Sequence, residues 1–289
     1  MQDNKRIKLY LENMPLLKDE KLKLNELSPL TKAGMIQGLV MAAITIAVNL
    51  VAYLGMFWAF KLTSKAEPKL SKKLQVVLGS KKQWTVVSVN HRIPNAMTLG
   101  RNFIIVTRGL YKILDDDEIM SVLIHEAGHN YGKHVEKNLA AIGTFALIAG
   151  QVAGFTLIST YMVLGPLAGT LALLVYFILL NAPLHLYNIT YGRKHEYFSD
   201  SYAAKYGYGD QIISALTKLD KWVSLEMKKR PCGPECKRQI EISQKMDEHP
   251  VLKDRVENIL KTKADLLVKA MSSSKNLKTF LFKEMGINK

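Results

Sequence analysis

Two long windows of the chain carry no charge, and the polar stretches are arranged around them. Ala33 to Phe60 contains no Asp, Glu, Lys or Arg. The window is longer than the roughly 20 apolar residues that a helix needs to cross a bilayer core. Gln37 and Asn49 are tolerable polar interruptions. The pattern predicts one transmembrane helix over 33–60, with Trp58 placed as an interfacial anchor. Asn138 to Gly192 is also free of acidic and basic side chains. This second window is too long for one span and suits two. Gly165-Pro166 near its middle supplies a break. A helical hairpin is therefore expected at about 139–162 and 167–189.

The stretches between and around these windows read differently. Residues 1–32 form a charged N-terminal segment with scattered Leu, either a short amphipathic surface helix or a partly ordered tail. Lys61 to Lys82 is basic and reads as a juxtamembrane helix or linker. Three β-rich runs follow: Trp84 to Val89, about Arg92 to Thr98, and Phe103 to Thr107. Leu99-Gly100-Arg101-Asn102 makes a hairpin turn between the last two. Phe103 to Thr107 is mostly apolar, as expected of a strand buried on both faces. Asp115 to Glu118 then offers acidic side chains to cap a helix and oppose its dipole. That helix is expected to run from about Asp117 to Lys137 and to lead directly towards the hairpin. Residues 193–289 are polar and helical again, with a helix from about Gln211 to Lys228, another from about Val251 to Lys269, and a basic tail.

The capped helix carries Ser121-Val122-Leu123-Ile124-His125-Glu126-Ala127-Gly128-His129, which contains H-E-x-x-H. Residues four apart on an α-helix are separated by about 400°, so His125 and His129 share a face and can aim two imidazoles at one ion. Glu126 lies about 100° round and can reach a water on that ion. This is the zinc-hydrolase arrangement. A catalytic zinc takes three protein ligands and keeps a position for water. His134 is about 140° off the ligand face on a continuous helix, which suits a surface or membrane-interface histidine. Val135 stands where a metzincin would supply its third histidine. Glu196 is the better third ligand, with Asp200 four residues on, on the same helical face, orienting a ligand histidine or an arginine. Gly128 and Gly132 each cost about 1 kcal/mol inside a helix relative to Ala. Either they admit substrate near the metal or they allow close helix packing.

Together these residues resemble the membrane-integrated gluzincin zinc metallopeptidases, the HtpX-like and CAAX prenyl protease-like families, and are closer to HtpX-like. HEAGH, the later Glu196-x-x-x-Asp200 and the apolar spans between them carry the resemblance. So do Pro94-Asn95-Ala96-Met97 followed by Gly100, the frame IIVTRGL within Phe103 to Leu110, and His249-Pro250 with Arg255. It covers roughly Val76 to Leu260. The resemblance implies an α+β, mainly α fold, with a small β-sheet edge beside the HExxH helix. It implies one Zn2+ per chain on His125, His129 and Glu196, Glu126 as general base, and His249 as donor to the oxyanion. Arg255 would pair with Asp200, and Asn95, Ala96 and Met97 would bind substrate added as a further strand. The expected activity is hydrolysis of membrane-associated or misfolded proteins. A dedicated processing protease for one membrane substrate and a catalytically silent scaffold are the alternatives. Three departures stand out. His195 occupies the place where an Arg often precedes the ligand Glu, Met97 replaces an aromatic, and one N-terminal span is found where two are usual. His195 reads as a surface residue.

Charge adds orientation. The chain holds 40 Lys+Arg against 25 Asp+Glu, a net +15. No nucleic-acid-binding signature accompanies this excess, so the expected partners are protein or peptide substrates and the lipid bilayer. Lys133, Lys137, Arg193 and Lys194 flank the predicted hairpin and place the catalytic side in the cytoplasm by the positive-inside rule. A single first span then puts the basic residues 1–32 on the far side, unless that segment is re-entrant or tilted. No cleavable signal peptide is expected. Cys232 and Cys236, spaced C-x3-C, read as two free thiols.

Overall fold

The computed structural model of the 289-residue chain describes residues 29–229 and 249–273. Cys232, Cys236 and the basic tail, together with nearly all of the charged N-terminal segment, lie outside the described residues. The elements run α1 (Pro29–Thr63), β1 (Lys65–Ala66), α2 (Pro68–Val77), β2 (Thr85–Val89), β3 (Ala96–Thr98) and β4 (Phe103–Thr107). A 3-10 turn (Leu110–Lys112) leads into α3 (Asp116–Tyr131), followed by α4 (His134–Leu164), α5 (Pro166–Lys205), α6 (Gly209–Lys228) and α7 (Leu252–Ser273). The fold is mainly helical with one small mixed sheet. The described residues fall into two compact units: those up to Ile46 with Gly143–Asn181, and the remainder.

The first unit is a helix pack built on small residues. Gly34, Gly38 and Ala42 of α1 repeat every four positions, as do Ala146, Gly150 and Gly154 of α4. A Cβ on Gly38 would lie 2.5 Å from the Gly150 carbonyl oxygen, and one on Gly154 would collide with the Gly34 carbonyl. The two backbones therefore touch because no side chain stands between them, a small-xxx-small seam. Ala42, Ala146, Ala149, Ala153, Tyr176 and Leu180 form its core. Tyr176 Oη and Thr45 Oγ1 hydrogen-bond at 2.6 Å, and Thr45 also donates to the Met41 carbonyl. Thr31–Thr63 is the one helix among the described residues long and apolar enough to cross a membrane. The α4–α5 break falls at Gly165, whose φ of +78° is the left-handed conformation that glycine adopts without steric cost, and Pro166 starts the next helix.

The second unit stacks α3 on the sheet, whose order is β1-β2-β4-β3. β2 and β4 pair in parallel, and the outer pairs are antiparallel. All five residues of β4 are buried, because it is an inner strand covered on both faces. Val86, Ile104 and Val106 face Met120, Leu123, Ile124 and Ala127 of α3. Val87, Leu99, Phe103 and Ile105 face the opposite way, onto Phe57 and Phe60 of α1. β3 is shorter than the pattern predicts, since Pro94 has no N–H to give a ladder. Gly100, Arg101 and Asn102 turn the chain with positive φ.

The expected continuous helix from Asp117 to Lys137 is instead two. α3 ends at Tyr131, Lys133 adopts a left-handed φ of +54°, and α4 starts at His134. The α3 start is a capping box. Asp115 Oδ1 accepts from the Asp117 and Glu118 amides at 3.1 and 2.9 Å, and Glu118 Oε2 accepts from the Asp115 amide at 2.9 Å.

Candidate metal centre

α3 delivers His125 and His129 one turn apart, and α5 delivers Glu196 against them. Eleven consecutive residues of α3, Glu118 to Gly128, are buried, so this helix has no solvent face to lose by turning polar groups inward. Gly128 sets the approach of α5: a Cβ there would lie 2.9 Å from Ser199 Cα and 3.0 Å from Tyr202 Cβ. Its smallness serves close helix packing, one of the two readings open to the sequence.

Three donor side chains converge. His125 Nε2 lies 3.1 Å from His129 Nε2 and 3.5 Å from Glu196 Oε2, and His129 Nε2 lies 3.3 Å from Glu196 Oε1. Zn–N and Zn–O bonds of about 2.0–2.1 Å in a tetrahedron put ligand atoms about 3.3 Å apart. The Nε2–Nε2 spacing is near that edge length, and Glu196 turns a different oxygen to each imidazole, Oε2 to His125 and Oε1 to His129. This donor set of two imidazoles and a carboxylate fits zinc.

Charged groups brace the three donors. Asp200 is fully buried and takes a bidentate pair from Arg255, Nε to Oδ2 at 2.8 Å and Nη2 to Oδ1 at 2.7 Å. Arg255 Nη2 also lies 3.1 Å from Glu196 Oε2. Asp200 Oδ1 is 2.9 Å from His125 Nδ1, where a carboxylate selects the tautomer that leaves Nε2 free to ligate. Burial raises the Asp200 carboxyl, but Arg255 and His125 outweigh it and hold the group below the usual range. Glu196 is held well below its usual value in the same way: burial opposes ionisation, while His125, His129 and His249 favour it. Burial lowers His125, but Asp200 and Glu196 more than compensate and push it up to about 10.

A cleft of about 290 Å³ opens on this cluster, lined among others by Asn95, Ala96, Met97, Thr98, Glu126 and His249. His249 Nδ1 is 3.3 Å from Glu196 Oε1 on a largely exposed side chain. All seven residues expected at the metal, its base and its supports therefore meet at one place: His125, Glu126, His129, Glu196, Asp200, His249 and Arg255. β3 supplies the cleft's rim. Thr107 N–H donates to the Asn95 carbonyl and Leu99 N–H to the Phe103 carbonyl, in register with Ala96↔Val106, Met97↔Ile105 and Thr98↔Ile104. Alternation along an antiparallel ladder then turns the backbone groups of Met97 inward and those of Ala96 and Thr98 to the free edge. The sequence reading omitted Thr98, because edge register is a property of pairing.

Two histidines are not at the surface positions expected of them. His134 and His195 are 5% and 9% exposed. The reversal at Gly132-Lys133 breaks the helical phase from which the angle of His134 is reckoned, and folds its ring back onto His129. Burial first, then neighbouring cationic and imidazole groups, lowers His134 to about 3 and His195 to about 4. The sequence signal was Gly132, where a Cβ would collide with the His134 ring.

Comparisons with known proteins point the same way. The model of "Peptidase family M48" matches residues 64–263. Proteins named protease HtpX homolog are similar to the chain: that of Campylobacter concisus is 29% identical over 149 residues, 46% of this chain and 49% of its own. That of Bacillus licheniformis is 29% identical over 160 residues, 53% of this chain and 54% of its own. The match thus spans about half the length of these curated relatives. A crystal structure of S. mikatae Ste24p aligns with a TM-score of 0.48 at 19% identity, covering 76% of this chain and 57% of that one.

Proposed function

Since the chain belongs to peptidase family M48, we propose that it is a zinc-dependent endopeptidase held in a membrane, hydrolysing peptide bonds of membrane-associated or misfolded proteins. The observation that carries this reading is the convergence of His125 Nε2, His129 Nε2 and the Glu196 carboxylate, whose ligand atoms lie within 4.8 Å of one another, beside Glu126 in one cleft. A zinc ion bound there supplies an acidified water and polarises the scissile carbonyl.

The chain's own groups do the rest. Glu126, 8% exposed at the cleft wall, takes the proton of the attacking water and hands it to the leaving amine. His249 lines the same cleft and donates to the oxygen on which negative charge develops. Arg255 and Asp200 hold His125 and Glu196 in position, so the ligands do not reorganise during turnover. Substrate adds to β3 as another strand, bonding to the outward backbone groups of Ala96 and Thr98 while the Asn95 side chain contacts its main chain. Such recognition reads backbone more than side chains, which suits unfolded segments of many sequences.

Membrane placement rests on charge and packing. The apolar stretch of α1 crosses the bilayer, the charge-free 138–192 window is long enough for two further spans, and the glycine seam of α1 and α4 is the kind of contact helices use in lipid. Lys133, Lys137, Arg193 and Lys194 hold the catalytic side in the cytoplasm.

The test uses the full chain purified in detergent micelles. It should cleave casein, lose activity with a chelator and regain it with zinc. Glu126→Gln should retain zinc and lose turnover by about 10²–10⁴-fold. Wild-type rates in Glu126→Gln would refute the mechanism.

A further inference from the structure

The metal cradle and the general base leave two buried imidazoles unused, His134 and His195. His134 Nδ1 lies 2.9 Å from His129 Nδ1. At that distance one nitrogen donates and the other accepts. If His129 Nε2 gives its lone pair to the metal, its proton sits on Nδ1. His134 Nδ1 must then accept, and His134 carries its own proton on Nε2. That nitrogen lies over Gly132, where a Cβ would collide with it. The left-handed Lys133 makes the tight reversal that brings His134 back over α3. The ring of His195 stacks on that of His134, with centroids 3.8 Å apart and planes 9° from parallel. Phe198 closes the other side edge-on at 5.5 Å. His195 immediately precedes Glu196 on α5.

We propose that His134 is a positioning residue for the metal centre. It accepts the Nδ1–H of His129 and fixes the tautomer that ligates through Nε2, and the His195 stack ties this acceptor to the helix that carries Glu196. The two ligand histidines are then oriented by different chemistry. His125 leans on a carboxylate, Asp200, and His129 leans on a neutral imidazole. A neutral partner orients His129 without adding a negative charge to a pocket that already holds Glu126, Glu196 and Asp200. The inference rests on the metallopeptidase reading.

The experiment measures the zinc dissociation constant of the full chain in micelles by competition with a chromophoric chelator, and the absorption spectrum of the Co2+-substituted protein. His134→Phe keeps a ring for the stack but has no acceptor. Its zinc affinity should fall about 10–100-fold, with a shifted Co2+ spectrum. His134→Asn sets an amide oxygen near the former Nδ1 and should recover most of the affinity. His195→Ala should weaken zinc binding less than His134→Phe does, and His195→Phe should restore it. If His134→Phe does not fold, His134→Gln replaces it, because its amide reaches the Nε2 position and misses His129. Wild-type affinity in the acceptor-less variant overturns the proposal, as does an Asn variant no better than it. A wild-type chain that binds no zinc would instead overturn the metallopeptidase reading itself.

Discussion

The glycine seam of the first unit and the metal centre of the second both bring helix backbones unusually close, by opposite chemistry. At Gly38, Gly150 and Gly154 the contact is backbone on backbone, with no charge and no titratable group. At Gly128 the same trick brings α5 against α3, but what it delivers is a crowd of buried charge: Glu196, Asp200 and, from α7, Arg255. Close approach by itself is thus neutral about function. The seam gains dispersion contacts that salt and chelators leave in place. The centre gains a charge pattern that only a cation completes, so it is open to chelators, protons and single-atom changes.

The difference can be pressed in four ways. Glu196→Ala removes a donor and should lower zinc affinity by more than the roughly 100-fold that losing a supporting residue causes. Equilibrium dialysis with metal analysis reads this, and undiminished binding would remove Glu196 from the ligand set. Arg255→Met leaves Asp200 buried with only His125 beside it, which should cost up to about 3–5 kcal/mol of stability. A thermal melt of the variant indistinguishable from wild type would show that Asp200 is solvated after all. Gly154→Leu puts a side chain where the Gly34 carbonyl sits, an overpacking worth about 1–3 kcal/mol. Its zinc affinity should be unchanged, which is the sharpest contrast with Gly128→Val. That substitution should disturb both stability and metal binding.

The smallest effect concerns pH. Burial would raise the Glu118 carboxyl, but hydrogen bonds from Lys218, Ser214 and the Asp115 amide outweigh it and hold it below its usual value. Because the folded value is the lower one, the stabilisation is fully present above the unfolded value near 4.5. It is lost as pH falls through the folded value. Glu118→Gln should therefore flatten the acid limb of a plot of melting temperature against pH and leave neutral-pH metal binding alone. An unaltered acid limb would assign that loss to other carboxylates, the metal-site pair first.

Local chemistry was readable along the chain. The i,i+4 spacing put His125 and His129 on one face without help from the rest of the fold, because helical phase is a local property. Charge-free windows announced the long apolar helices, and Gly165-Pro166 announced their break, since both depend on composition and backbone freedom. The acidic run Asp115 to Glu118 foretold a helix start for the same reason. Gly34-x-x-x-Gly38 and Gly150-x-x-x-Gly154 stand in the chain, but no seam was read from them, because which helices such glycines join is set by packing.

What the tertiary structure decided is everything that depends on a broken phase or a distant partner. Lys133 in a left-handed conformation ended the helix that the apolar pattern extended to Lys137, and so moved His134 from an expected surface to the back of His129. His195 gained its place only when α5 packed on α3, more than sixty residues after His129 in sequence. Thr98 joined the cleft's free edge through its register with Ile104, which pairing alone sets. Periodicity can say which residues share a face of one helix. Only packing says which face of another helix they meet, and here that meeting is what assembles the metal centre.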